Sequence, residues 1–105
     1  MAAKQVDAEV VRRSNYRTIP KNVATVAVTA SSASTGSVAA YLGQYVWLRA
    51  VTLDITIALG ARTVVAGQGL VIPTDQYVEV YVDPGDDTVL SHISTGNATL
   101  VVLYD

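Results

Sequence analysis

From about residue 22 to the C-terminus the apolar residues recur at every second position, and no stretch keeps the 3.6-residue spacing of an amphipathic helix. In the clearest segment Leu53, Ile55, Ile57 and Leu59 point one way, and Asp54, Thr56 and Ala58 the other. Tyr45, Trp47 and Arg49 likewise oppose Val46, Leu48 and Ala50, and Val78, Val80 and Val82 oppose Tyr77, Glu79 and Tyr81. Strands are therefore expected over 24–30, 44–50, 53–59, 70–72, 77–82, 88–93 and 98–104, with Pro73 ending the short one because it has no N–H to donate. Turn chemistry falls between them. Ser31–Gly36 reads as a small polar loop, Gly60–Arg62 and Gly67-Gln68-Gly69 as breaks, and Asp83-Pro84-Gly85-Asp86-Asp87 and Ser94-Thr95-Gly96-Asn97 as compact turns. Short strands about ten residues apart leave no room for the helical crossovers of a parallel sheet. The fold class is all-β: an antiparallel β-sandwich or jelly roll, cored by Leu53, Ile55, Ile57 and Leu59 with the Val78, Val80, Val82 row.

Charge divides the chain in two. Residues 1–21 carry Lys4, Arg12, Arg13, Arg17 and Lys21 against Asp7 and Glu9, five bases to two acids, for +3. Residues 22–105 carry Arg49 and Arg62 against seven acids, for −5, and the two parts give the overall −2. Residues 1–21 thus read as an extended, basic N-terminal arm, and 22–105 as one sandwich domain. The arm orders against a partner or stays solvated. Val6–Arg13 suits a turn or two of helix or an extended run, and Pro20 biases the residue before it away from helix. The small net charge argues against nucleic acid as a partner. No run is apolar enough for a membrane span or a secretory signal, so synthesis in the cytoplasm is expected.

Catalytic and metal-binding chemistry is thinly supplied. With no cysteine, disulfides, thiolate metal sites and cysteine nucleophiles are excluded. The one histidine, His92, adjoins Ser91, but neighbours on a strand face opposite ways and cannot pair as nucleophile and base. His92 reads as a surface or rim residue. Asp83, Asp86 and Asp87 make one acidic cluster without the spacing or closing Glu of a calcium loop, so a solvated turn is expected and no metal. Gly67-Gln68-Gly69 lacks the Lys-Ser/Thr of a phosphate loop. No cofactor and no catalytic residue are expected. What remains is aromatic: six Tyr, one Trp and no Phe, rings that each carry a polar handle suited to a partially wetted interface. If the valine row faces the core, Tyr77, Glu79 and Tyr81 form an outward stripe and a candidate partner surface. Trp47, inside a strand, is expected in the core.

The stretch from Gly43 to Asp105 resembles small virion structural proteins of tailed bacteriophages. The resemblance rests on Gly43-Gln44-Tyr45-Val46-Trp47-Leu48-Arg49-Ala50, Asp54–Gly60, Thr63–Pro73, Leu90-Ser91-His92-Ile93-Ser94 and Leu100–Leu103. It is one of style and spacing and brings no catalytic residue. It implies a non-enzymatic capsid decoration (cement) protein on the outer capsid, partnered by the major capsid protein or other virion proteins, and oligomeric on the particle. Lys4, Arg12, Arg13, Arg17 and Lys21 would anchor it to the capsid. A head–tail, tail or fibre-base component is the alternative, and a carbohydrate-binding sandwich using Trp47 and the tyrosines as sugar platforms is a third.

Overall fold

The structure, a computed structural model, describes residues 19–105. Eight strands are formed: β1 Asn22–Val28, β2 Ala33–Ser37, β3 Tyr45–Val51, β4 Ile55–Leu59, β5 Leu70–Ile72, β6 Val78–Tyr81, β7 Val89–Ser94 and β8 Ala98–Tyr104. They make two four-stranded sheets, A in the order β1-β8-β3-β6 and B in the order β2-β7-β4-β5. All pairings between these strands are antiparallel. β1 lies beside β8, β2 beside β7, β3 beside β6 and β4 beside β5. The chain is one long hairpin, doubled back between β4 and β5 and then wound into two facing sheets. That winding is a jelly roll, and the all-β sandwich expected from the alternation is what forms.

Alternation places the core. Val46, Leu48 and Ala50 of β3, Leu100 and Val102 of β8, Ile55 and Ile57 of β4, Ile72 of β5 and Leu90 of β7 are buried in one cluster. Val82, just past β6, is buried with them, while Leu53, Leu59, Val78 and Val80 pack against the cluster half-buried. A single 3₁₀ turn, Ala39–Tyr41, leads from β2 towards β3 and buries Tyr41 against Tyr104, with ring centroids 4.9 Å apart. Burial, and secondarily Tyr104, raises the Tyr41 phenol above its ordinary pKa.

Two sequence expectations are corrected. Of the expected loop Ser31–Gly36, residues 33–36 instead belong to strand β2, whose Gly36 opposes Leu90. A Cβ at Gly36 would meet the Leu90 Cβ at 3.1 Å, so a side chain there would crowd the core. His92, expected at the surface, is 1% exposed. It shares the inward face of β7 with Leu90, and its register partners are Ile57 and Ala33.

Sheet B is roofed on its outer side by the β4–β5 connection, residues 60–69. Its backbone amides are satisfied by strand side chains: Arg62 N–H donates to Ser91 Oγ and Gly67 N–H to Thr56 Oγ1, each at 2.9 Å. Val64 N–H donates to Ser32 Oγ at 2.9 Å, and Val64 itself is buried apart from the core cluster. Ser91 and Thr56 are buried polar residues for this reason: they replace the water a loop backbone would otherwise bind.

Candidate interaction surface

The outer face of sheet A is where the aromatic and charged side chains gather. Register sets Tyr45 opposite Tyr81 and Trp47 opposite Glu79 on β6, with Trp47 opposite Leu103 on the other flank. The Tyr45 and Tyr81 rings lie 5.1 Å apart, tilted by 57°. The Arg49 guanidinium sits 5.5 Å from the centre of the Tyr77 ring, a cation–π contact. Tyr77 and Tyr81 are 44% and 47% exposed and Glu79 is half-buried between them, so the expected stripe does face outward. What the sequence reading missed is its continuation onto β3, where Tyr45, Trp47 and Arg49 widen the stripe into a patch. The signal was present: the same alternation that sends Val46, Leu48 and Ala50 inward sends these three outward.

Trp47 departs from expectation in an informative way. It is 5% exposed, as a core residue would be, yet it lies outside the core cluster and on the outer side of sheet A. Of the expected anchoring residues, Lys21 is exposed just before β1. Lys4, Arg12, Arg13 and Arg17 lie outside the described residues.

The histidine has a different role from the one sequence implied. β2 carries a one-residue register shift between Ala33 and Gly36. Such a bulge re-aims the side chains next to it, and Thr35 Oγ1 comes to 2.8 Å from His92 Nε2. On the opposite side of β7, Ser91 Oγ meets Ser34 Oγ at 2.8 Å and donates to Gly60 O. Ser91 and His92 thus serve opposite faces, as strand geometry requires. The Thr35–His92 distance suits a nucleophile–base pair, but His92 Nδ1 is buried with no hydrogen-bond partner among the described residues to orient the ring. Desolvation lowers the His92 pKa below its ordinary value, which keeps the imidazole neutral. Its observed work is structural: it ties β2, a strand with little apolar content, to β7.

Asp83, Asp86 and Asp87 are exposed in the β6–β7 connection. No group of three or more His, Cys, Asp or Glu able to hold a metal is assembled among the described residues. Asp54 is a carboxylate held by two hydrogen bonds from one residue. Its Oδ1 accepts from Thr74 Oγ1 at 2.6 Å and from Thr74 N at 2.7 Å, bonds that lower its pKa. Between the β5 and β6 edges the two sheets part around an apolar cleft of about 180 Å³, lined among others by Leu59, Leu70, Val80 and Tyr81. No family model, curated protein or solved structure matches this chain.

Proposed function

We propose that this protein is a non-enzymatic structural component of a bacteriophage virion that decorates and stiffens the outer capsid. In this reading the basic arm, Lys4, Arg12, Arg13, Arg17 and Lys21, anchors to acidic capsid surface, and Tyr77, Glu79 and Tyr81 pack against neighbouring shell subunits. The protein is made in the host cytoplasm and ends on the capsid surface, with many copies adding avidity. The observation that carries the reading is the exposed Tyr77–Tyr81 stripe on a jelly roll whose only histidine is engaged in its interior. Tyrosines exposed in a row supply contact area with polar tips at low entropic cost, which suits a surface that is solvated before assembly and covered after it. Jelly rolls also serve as capsid and lectin domains, so the fold supports the class of function without choosing within it. The carbohydrate alternative asked Trp47 to offer an open ring face, and at 5% exposure it offers none.

The test is the composition of purified particles. The proposal expects this chain in a fixed ratio to the major shell protein, spread over the whole shell in electron micrographs. Location at a single vertex would make it a head–tail or tail component, and absence from particles would end the virion reading.

A further inference from the structure

The surroundings of His92 accept a neutral ring and have no place for a charged one. Its Nε2 faces two groups of Thr35, Oγ1 at 2.8 Å and the backbone N–H at 3.4 Å. A backbone N–H only donates, so Nε2 accepts and carries no proton in this arrangement. The proton of the neutral ring then sits on Nδ1, buried without a hydrogen-bond partner among the described residues. A second proton would go onto Nε2 and meet the Thr35 N–H, donor against donor. The Thr35 hydroxyl can turn to accept it; the amide cannot. Counter-charge is missing as well. Strands β1, β2, β4, β7 and β8 contain no Asp, Glu, Lys or Arg, and the phenol of β8, Tyr104, packs on Tyr41. Arg49 of β3 and Glu79 of β6 belong to the outer face of sheet A. Asp87 and Arg62 flank Gly60, whose amide bonds to Val89 at the start of β7, and the Asp54 carboxylate is taken by Thr74. Lys21 and Asp105 lie beyond the Asn22–Tyr104 end of sheet A.

The strand that His92 ties down is weakly held otherwise. β2 is an edge of sheet B, its five residues include no large apolar side chain, and its ladder to β7 is interrupted between Ala33 and Gly36. Its side-chain ties to β7 are Ser34 to Ser91 and Thr35 to His92, each at 2.8 Å. Elements with few buried apolar contacts open locally, below the cost of global unfolding. We propose that protonation of His92 releases β2 from β7 while the rest of the sandwich stays folded. Lifting β2 admits water to the ring, which relieves a buried charge that no neighbour compensates. Burial already holds the imidazole below its ordinary pKa, so the opened form takes up the proton first. β2 is therefore held above about pH 6.5 and released increasingly below it. The bared β7 edge, Val89–Ser94, carries no charged residue to repel an added strand. The inference goes beyond the capsid reading and does not need it.

His92 is the only histidine, so it is the one side chain whose ordinary pKa falls between pH 5 and 7.5. Amide hydrogen exchange of the full chain, followed by NMR at pH 7.5, 6 and 5 and corrected for intrinsic rates, reads the release. Linkage permits at most a tenfold rise in the opening constant per pH unit, about thirtyfold between pH 6.5 and 5. Protection at Gly36, Ser37 and Val38 should fall between about fivefold and thirtyfold from pH 7.5 to 5, while Leu100 and Val102 keep theirs. In His92→Gln the protection of β2 should not depend on pH. Unchanged β2 protection in the parent would overturn the inference. So would an equal loss in β2 and β8, which is global unfolding, or a loss that persists in His92→Gln. Should that variant not fold, imidazole nitrogen shifts of the parent decide: Nε2 should be unprotonated at pH 7.5 and the ring should titrate below about pH 6.5. A proton on Nε2 at pH 7.5, or a midpoint at or above the ordinary value, would overturn it. No particles are involved, so failure here leaves the capsid reading to its own test.

Discussion

Ile55 is the position at which the sandwich is most easily put at risk. It is fully buried on β4, in register with Ile72 of β5 on one side and Ser94 of β7 on the other. Truncation to Ala removes three carbons, worth about 2.4 kcal/mol at about 0.8 per methylene transferred from water. Both flanks are pinned by ladder hydrogen bonds, so the site collapses only in part. A residual void of roughly 50 Å³ adds about 1.2 kcal/mol at about 24 cal/mol per Å³. The expected loss is about 3.6 kcal/mol. Leu59, on the same strand, is half-buried and already borders the open cleft, so Leu59→Ala should lose clearly less, about 1–2 kcal/mol. Urea unfolding of parent and both variants, with unchanged m-values, reads the difference directly. A loss under about 1 kcal/mol for Ile55→Ala, or a larger loss at Leu59, would refute the assignment of the inward face.

Other outcomes follow from single contacts. Because burial lowers the His92 pKa, the unfolded chain takes up its proton first; the His92 contribution is intact above about pH 6.5 and declines as pH falls below it, and His92→Gln should flatten that slope in denaturation curves between about pH 6.5 and 5. Thr52 is β-branched at φ 88°, so Thr52→Gly should raise stability by about 1 kcal/mol, relief of strain exceeding the glycine entropy cost; a lower unfolding midpoint would contradict this. Asp54→Ala should lower the melting temperature slightly at neutral pH and lose its effect in acid, where the parent carboxylate that Thr74 stabilises is also protonated. Millimolar Ca²⁺ or a chelator should leave the melting temperature unchanged, whereas occupancy at a hundred times a dissociation constant would add about 2.7 kcal/mol.

Period-two alternation was enough to place β3, β4, β6 and β8, and to read the inward side of β4 and β6, because each buries one face against the opposite sheet. Strand β2 escaped because Ala33, Ser34, Thr35, Gly36 and Ser37 have no apolar alternation. Their pairing is decided by residues more than fifty positions away, Leu90 demanding a glycine and Ser91 and His92 offering hydrogen-bond partners. His92 was legible in principle, since it shares parity with Leu90; its polarity argued for the surface, and a partner supplied by the β2 bulge reversed that. Trp47 shows the opposite case. It was expected in the core and is buried, but on the outer side of sheet A: a large ring inside a strand argued for the core, whereas its parity with Tyr45 and Arg49, opposite to Val46, Leu48 and Ala50, pointed outward.

The most direct test of the functional account is sedimentation of this protein with decoration-free shells across a salt series. The parent should pellet with shells and dissociate progressively as the screening length shrinks from about 10 Å at 0.1 M to about 3 Å at 1 M. Combined replacement of Arg12, Arg13 and Arg17 by Ala should weaken binding at low salt and blunt the salt dependence. Equal binding of parent and triple variant at every salt concentration would contradict attachment through the arm.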